Sequence, residues 1–196
     1  MHVVRGIHRP NTPFPSIFAK IDAAMKRRFA EDRWHSFGEG QPSFKIAHGE
    51  KVVRSSPIVL PNRQVTLSVK GRYDSILTFE DGSLVLCDFK TASVKPENLD
   101  KYWVQLHAYA FALEHPAPGS LSVKIDRLGL GVFDPASFAY DGEAGGSLSG
   151  AMHWIDMQRD DKRFLTFMDD VAAVLEQPEP PVPSPDCSFC SYRIAA

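Results

Sequence analysis

The chain has 196 residues, with 22 Lys and Arg against 24 Asp and Glu for a formal charge of −2. A hydrophobic fraction of 43 % and a charged fraction of 23 % exclude a chain disordered throughout and suit one globular domain with a tail. Three cysteines exclude an even disulfide framework, and no apolar run reaches the length of a membrane span. The stretch Met1–Pro10 has no apolar core of secretory type, so a cytoplasmic protein with no membrane partner is expected. The charge is unevenly spread. Residues 1–54 carry ten Lys/Arg against five Asp/Glu, and the remainder twelve against nineteen. A basic end of this kind can steer an anionic partner, or it can be no more than the solvated face of a helix.

Pro15-Ser16 opens a helical pattern over about 15–31, with Ile17, Phe18, Ile21, Met25 and Phe29 at helical spacing. Residues 36–50 read as loop with a short strand near Phe44–Ile46. Residues 51–60 and 64–79 read as strands joined by a turn at Pro61-Asn62, and 83–90 as a third strand. Leu99–His115 is a helix, 121–133 a strand, and 135–150 a long Gly- and Ser-rich loop. Met152–Met157 is a last strand and Asp160–Glu176 a strongly patterned helix. Five prolines in 178–185 form an extended connector to the segment Cys187–Arg193. This order predicts an α/β fold, a single domain over 1–177 with a mixed sheet flanked by helices, followed by a Pro-rich tail over 178–196.

The chemistry concentrates in Gly71-Arg-Tyr-Asp74, a turn, and Asp88-Phe89-Lys90. Alternate residues of a strand share a face, so Asp88 and Lys90 point one way and Phe89 the other. A two-residue turn at Asp81-Gly82 would put Asp74 on the wrong side of the sheet. A three-residue loop, Glu80-Asp81-Gly82 with Gly82 left-handed, sets residue 79 opposite 83 and Asp74 opposite Asp88. The three-residue loop is expected. Two carboxylates at cross-strand distance repel unless a divalent cation lies between them, and hard oxygen ligands suit Mg²⁺ or Mn²⁺. A lysine beside them offsets phosphate charge and helps to position a water, so the group describes metal-assisted phosphodiester hydrolysis. Tyr102, Gln105 and Tyr109 then fall on one stripe of the following helix, where they can reach a phosphate, a base or Lys90.

Gly-Arg-Tyr-Asp74, Asp88-Phe89-Lys90 fourteen residues on and Gln105-x-x-x-Tyr109 together resemble the PD-(D/E)XK nuclease superfamily. The likeness is to its RecB-like branch, which includes CRISPR adaptation nucleases. Residue 73 is Tyr where the name-giving motif has Pro. The resemblance implies a restriction-endonuclease-like core. It makes Asp74 and Asp88 metal ligands and catalytic together with Lys90, and the carbonyl of Phe89 a further ligand. Gln105, Tyr109, Tyr102 and Arg72 would contact nucleic acid. An upstream His or Glu completes the ligands of many relatives; His35 is the first candidate here, with His48 and Glu50 as alternatives.

Cys187-Ser-Phe-Cys190 resembles the C-terminal cysteine segment of relatives that hold a four-iron cluster, which needs four thiolates. Residues 1–86 hold no cysteine, and Cys87 reads as a small apolar core group, so a complete single-chain Fe–S site is not expected. A remnant thiol pair, or a zinc site completed by histidines or shared in a dimer, stays open. The expected function is therefore a Mg²⁺- or Mn²⁺-dependent deoxyribonuclease of DNA repair, recombination or foreign-DNA processing. The alternative is a non-catalytic nucleic-acid-binding scaffold on a nuclease fold. DNA is the expected partner in either case, and the oligomeric state is open.

Overall fold

Helical spacing of Ile21, Met25 and Phe29 produces α1 (Ser16–Phe29). The computed structural model describes residues 16–91, 99–140, 142, 145–182 and 184. Lys26, Arg27 and Arg28 fill the last turn of α1, where cations complement the carbonyl end of a helix. The strands are β1 (His35–Ser36), β2 (Ser43–His48), β3 (Lys51–Arg54), β4 (Lys70–Tyr73), β5 (Ser75–Phe79), β6 (Leu84–Thr91), β7 (Arg127–Tyr140) and β8 (Gly146–Met157). Six of them form one sheet in the order β1-β2-β5-β6-β7-β8, and β3 pairs with β4 alone. Within the large sheet β6 and β7 run parallel and the other neighbours antiparallel. A parallel pair needs a crossover, which α2 (Leu99–Glu114) supplies. The chain ends its regular structure with α3 (Asp161–Leu175), capped where the Asp160 carboxylate accepts the Arg163 N–H at 2.8 Å.

The two-residue period of the strands divides the core. Leu86, Leu128, Leu130 and Val132 face α2 and pack on Leu106, Ala110 and Leu113. Val85, Cys87 and Phe89 face the other way, among Phe37, Phe44, Leu77, Phe79 and Trp154, and Met25 and Phe29 of α1 close that side. On the outer flank α3 lays Phe164, Met168 and Ala172 against Trp103, Ile58 and Leu60. Buried His107 ties α2 to α3: Nδ1 lies 2.7 Å from the Trp103 carbonyl and Nε2 accepts the Asp160 N–H at 2.9 Å. The mixed α/β architecture agrees with the expectation from sequence.

Two stretches differ from it. The expected strands 51–60 and 64–79 shrink to β3, β4 and β5, and residues 55–69 make only the isolated bridges Ser55↔Pro116 and Ile58↔Leu67. Pro57 and Pro61 lack the N–H a ladder needs, and Ile58 and Leu60 serve the α3 side of the core instead. The expected loop 135–150 is largely strand. β7 starts later than expected, at Arg127, and pairs with β8 out to Tyr140↔Gly146. β6 pairs with β7 only as far as Thr91↔Phe133, so the outer half of this hairpin is a ribbon beyond the sheet. Both faces of the ribbon meet solvent, with Phe138, Tyr140 and Leu148 exposed. Such a ribbon needs no alternation of apolar and polar residues, and Pro135 sits at its bulge.

Gly131 of β7 shows how tightly the α1 side is filled. A Cβ there would lie 2.7 Å from the Phe89 ring and 2.9 Å from that of Phe37. Gly131→Ala should therefore lower stability by about 1–3 kcal/mol. Gly49→Ala, where a Cβ meets nothing within 4 Å, should stay within about 0.5 kcal/mol. Urea unfolding of the two variants, run side by side, measures the contrast.

Candidate active site

The β5–β6 hairpin turns through the expected three-residue loop. Phe79 N–H donates to the Ser83 carbonyl at 3.0 Å, Gly82 N–H to the Phe79 carbonyl at 2.9 Å, and Gly82 has φ of 82°. The register runs from Thr78↔Leu84 to Ser75↔Cys87, the one that carries Asp74 toward Asp88. The ladder stops there, and the Asp74 carboxylate holds the next step by accepting the Phe89 N–H at 3.1 Å through Oδ2. Asp88 and Lys90 share the α2 side of β6, with Lys90 Nζ 2.5 Å from Asp88 Oδ2. Phe89 points to the other side, its ring stacked on Phe29 at 5.2 Å between centroids.

α2 lays its polar stripe over these residues. Tyr102 places its ring 5.3 Å from the Lys90 ammonium, and Gln105 Nε2 donates to Asp88 Oδ1 at 3.0 Å. Tyr109 packs over Gly71, where a Cβ would come within 2.4 Å of its ring, so only glycine admits this approach. From the opposite side α1 contributes Lys26, which donates to Glu50 Oε2 at 2.7 Å and reaches Asp22 Oδ2 at 2.9 Å and Asp74 Oδ1 at 3.3 Å. Asp22, Lys26, Asp74, Lys90 and Tyr102 line one open cleft of about 620 Å³.

Burial dominates the electrostatics. It pushes the Asp88 carboxyl up to about 6, against the opposing pull of Lys90 and with the nearby Asp74 carboxylate adding to the rise. Burial also disfavours the Lys90 ammonium, but Asp88 and Asp74 outweigh it and the net shift is upward. The same balance holds at Lys26, where Glu50, Asp22 and Asp74 overcome desolvation. Although Asp88 is the more deeply buried partner of its ion pair, its Oδ2 makes no well-directed hydrogen bond. A buried carboxylate oxygen met only by an ammonium, next to a second carboxylate, is a donor set that a hard divalent cation fits. Among the described residues, no three His, Cys, Asp or Glu side chains are yet gathered as a metal would gather them.

The other candidates fall in different places. The His35 ring lies 5.3 Å from Phe29 and 5.7 Å from Phe44, with Nε2 3.3 Å from the Glu31 carbonyl, in the core on the Phe89 side. It does not join the carboxylates. His48 is exposed on β2 beside a bulge. Glu50 does reach the site, through Lys26, and Arg72 Nη1 donates to it at 2.8 Å. Sequence reading missed Asp22 and Lys26; their i,i+4 spacing in α1 was visible, but nothing in it pointed across to Asp74. Cys87 is buried and its thiol is pushed up by burial, which makes it an inert core group. Cys187 and Cys190 lie outside the described residues.

A mixed sheet flanked by helices, with Asp-x-Lys ending a strand beside a cleft, defines a restriction-endonuclease-like core. The chain belongs to the PD-(D/E)XK nuclease superfamily, which it matches over residues 7–195. Members of this superfamily typically use divalent metals on nucleic acid. None of the curated proteins compared with it matches. A solved structure titled "Crystal structure of SSO0001" is 14 % identical over 91 % of this chain and 68 % of that one, with a TM-score of 0.48. No helix among the described residues is long and apolar enough to cross a membrane.

The raised Asp88 has a consequence for the metal-free protein. Its folded state holds the Asp88 proton more tightly than the unfolded chain does. Between the ordinary aspartate value and about pH 6 the unfolded state is ionised and the folded one is not, so stability falls as pH rises through that window. Relative to Asp88→Asn, the wild-type chain should lose on the order of 2–3 kcal/mol between pH 4 and pH 7. Urea unfolding at a series of pH values measures the difference, and a difference that does not vary with pH would show that burial leaves Asp88 unperturbed.

Proposed function

We propose that the protein is a Mg²⁺- or Mn²⁺-dependent deoxyribonuclease of the RecB-like branch, similar to the CRISPR adaptation nucleases. DNA repair, recombination or foreign-DNA processing is its setting, in the cytoplasm. The observation that carries this reading is the pair of carboxylates at the end of the β5–β6 hairpin, one of them buried and ion-paired to Lys90 without a well-directed hydrogen bond to Oδ2. A decayed site has no reason to keep so unfavourable a group. The Gln105 contact to Asp88 and the Tyr102 ring over Lys90 support the same assignment.

Asp74, Asp88 and the Phe89 carbonyl hold the metal in this reading. Glu50 is the upstream ligand in preference to His35, because Glu50 already shares a cation with Asp74. When bound, the metal polarises a phosphate oxygen and makes water a better nucleophile. Lys90 balances charge on the attacked phosphate and positions the water, Gln105 orients Asp88, and Tyr102 offers a stacking face for an unpaired base. Exposed Lys20 and Arg27 of α1 track the phosphate backbone, together with Arg72, which is held by Glu50. Residues 1–177 form the nuclease domain and 178–196 an appended tail that carries the thiol pair Cys187/Cys190.

Incubation of labelled single-stranded and duplex DNA with the full chain and Mn²⁺ tests the proposal. Cleavage is expected, lost with EDTA and reduced at least about a hundredfold in Asp74→Ala, Asp88→Ala and Lys90→Ala. Activity that survives Asp88→Ala or Lys90→Ala would overturn the assignment. Metal-independent DNA binding with no cleavage would favour the scaffold reading instead.

A further inference from the structure

Lys26 is the most heavily engaged cation of the cleft. Its ammonium meets Glu50 at 2.7 Å, Asp22 at 2.9 Å and Asp74 at 3.3 Å, carboxylates drawn from three separate parts of the chain. One monovalent charge thus stands where three anions converge, and two of the three, Asp74 and Glu50, are carboxylates assigned to the metal. We propose that Lys26 is a tethered counter-ion: it holds the metal-free site together, gives way when a divalent cation binds, and is thereby released to a substrate phosphate. The proposal rests on the nuclease reading above and adds a positioning residue to it.

Three observations carry the step. The first is charge. A divalent ion taking Asp74 would sit within a few ångström of the Lys26 ammonium, so ion and ammonium compete for the same carboxylate. The second is freedom to move. Lys26 has 24 % of its side chain exposed, and none of the residues of α1 is fully buried. A lysine stem is flexible, and its terminal ammonium can turn without the helix moving. The third is destination. Lys26 and Lys90 line the same cleft, Lys90 is already held by Asp88 at 2.5 Å, and the walls between them include Tyr102 and Thr91. An ammonium that leaves Asp74 therefore enters the space a phosphate would take. Glu50 passes from Lys26 to the metal in the same step and keeps Arg72 at 2.8 Å on its other oxygen. Metal loading and substrate affinity become coupled through one side chain.

If Lys26 were only a strut between α1 and the sheet, removing its charge would weaken the fold and leave metal binding unchanged or poorer. The counter-ion role predicts the reverse for the metal. Calorimetric titration of Mn²⁺ into the full chain, without DNA, should give about tenfold tighter binding in Lys26→Met and in Lys26→Gln than in wild type, with Lys26→Arg close to wild type. Thermal melting identifies which neutral variant is folded, and either one suffices. With Mn²⁺ present, a cleavage-resistant phosphorothioate oligonucleotide should bind the neutral variants several-fold more weakly. Its salt dependence should also fall by about one unit of slope, while Lys26→Arg keeps both. Equal or weaker Mn²⁺ binding in the folded neutral variant overturns the counter-ion role and leaves the nuclease reading standing, as does an unchanged salt slope. Absence of Mn²⁺ binding in wild type and variants alike overturns both.

Discussion

Taking a carboxylate out of water carries a penalty of several kcal/mol unless other charges and hydrogen bonds meet it, and Asp88 keeps only 5 % of its side chain exposed. The structure around it is arranged as an answer. Lys90 comes from the same strand two residues on, which guarantees the same face at no cost in topology. Gln105 comes from the crossover helix and gives one oxygen a neutral hydrogen bond. Neither satisfies Oδ2 with good geometry, and Asp74 adds a second negative charge nearby. The site is therefore under-compensated as it stands. That imbalance, rather than the presence of acidic residues, gives the cleft its demand for a cation.

The rest of the fold maintains the imbalance. Hairpin register decides whether Asp74 and Asp88 meet at all, because a slip of one residue would send Asp74 to the opposite face. Gly82 in its left-handed conformation secures the loop that sets this register. Gly131 then leaves room for the Phe89 ring, which anchors the strand from the side away from the carboxylates. Gly71 lets Tyr109 approach β4, so α2 sits close enough for Gln105 to reach Asp88. Gly71 on β4 and Gly131 on β7 thus serve one purpose, admitting aromatic rings that hold a charged corner in place, while Gly82 fixes the loop.

Much of this was legible in the sequence because it is local. Strand alternation places Asp88 and Lys90 together, loop length sets the partner of Asp74, and helical spacing aligns Tyr102, Gln105 and Tyr109. The failures are all non-local or lack a pattern. His35 looked like a ligand because a histidine upstream of the motif is chemically suitable, yet it fills a gap between Phe29 and Phe44, a fate that composition does not reveal. Lys26 looked like one of several basic residues on a solvated helix face. Two of its three partners lie 24 and 48 residues away, beyond anything periodicity can report. The β7–β8 ribbon was invisible for the opposite reason. Beyond Phe133 it no longer pairs with β6 and is largely exposed, so Ser, Ala and Gly suffice and the usual strand signal never develops.

The uneven charge of the chain also changes meaning once pairs are assigned. The excess of cations in residues 1–54 suggests a broad positive surface, but several of these cations have carboxylate partners. Lys26 is held by three carboxylates, Arg28 and Arg33 by Glu31, and Lys45 by Asp32. Among the described residues Lys20 and Arg27 of α1 pair with no carboxylate and stay exposed. Both stand on the helix whose Phe18, Ala19 and Asp22 line the cleft. Lys51 and Arg54 of β3 are exposed as well, so among the described residues the positive field is not confined to α1. A near-neutral chain can engage a phosphate backbone on those terms, since attraction decays within about 10 Å at moderate salt and only charges near the contact matter. The net charge of −2 is therefore no measure of what such a partner meets at the contact.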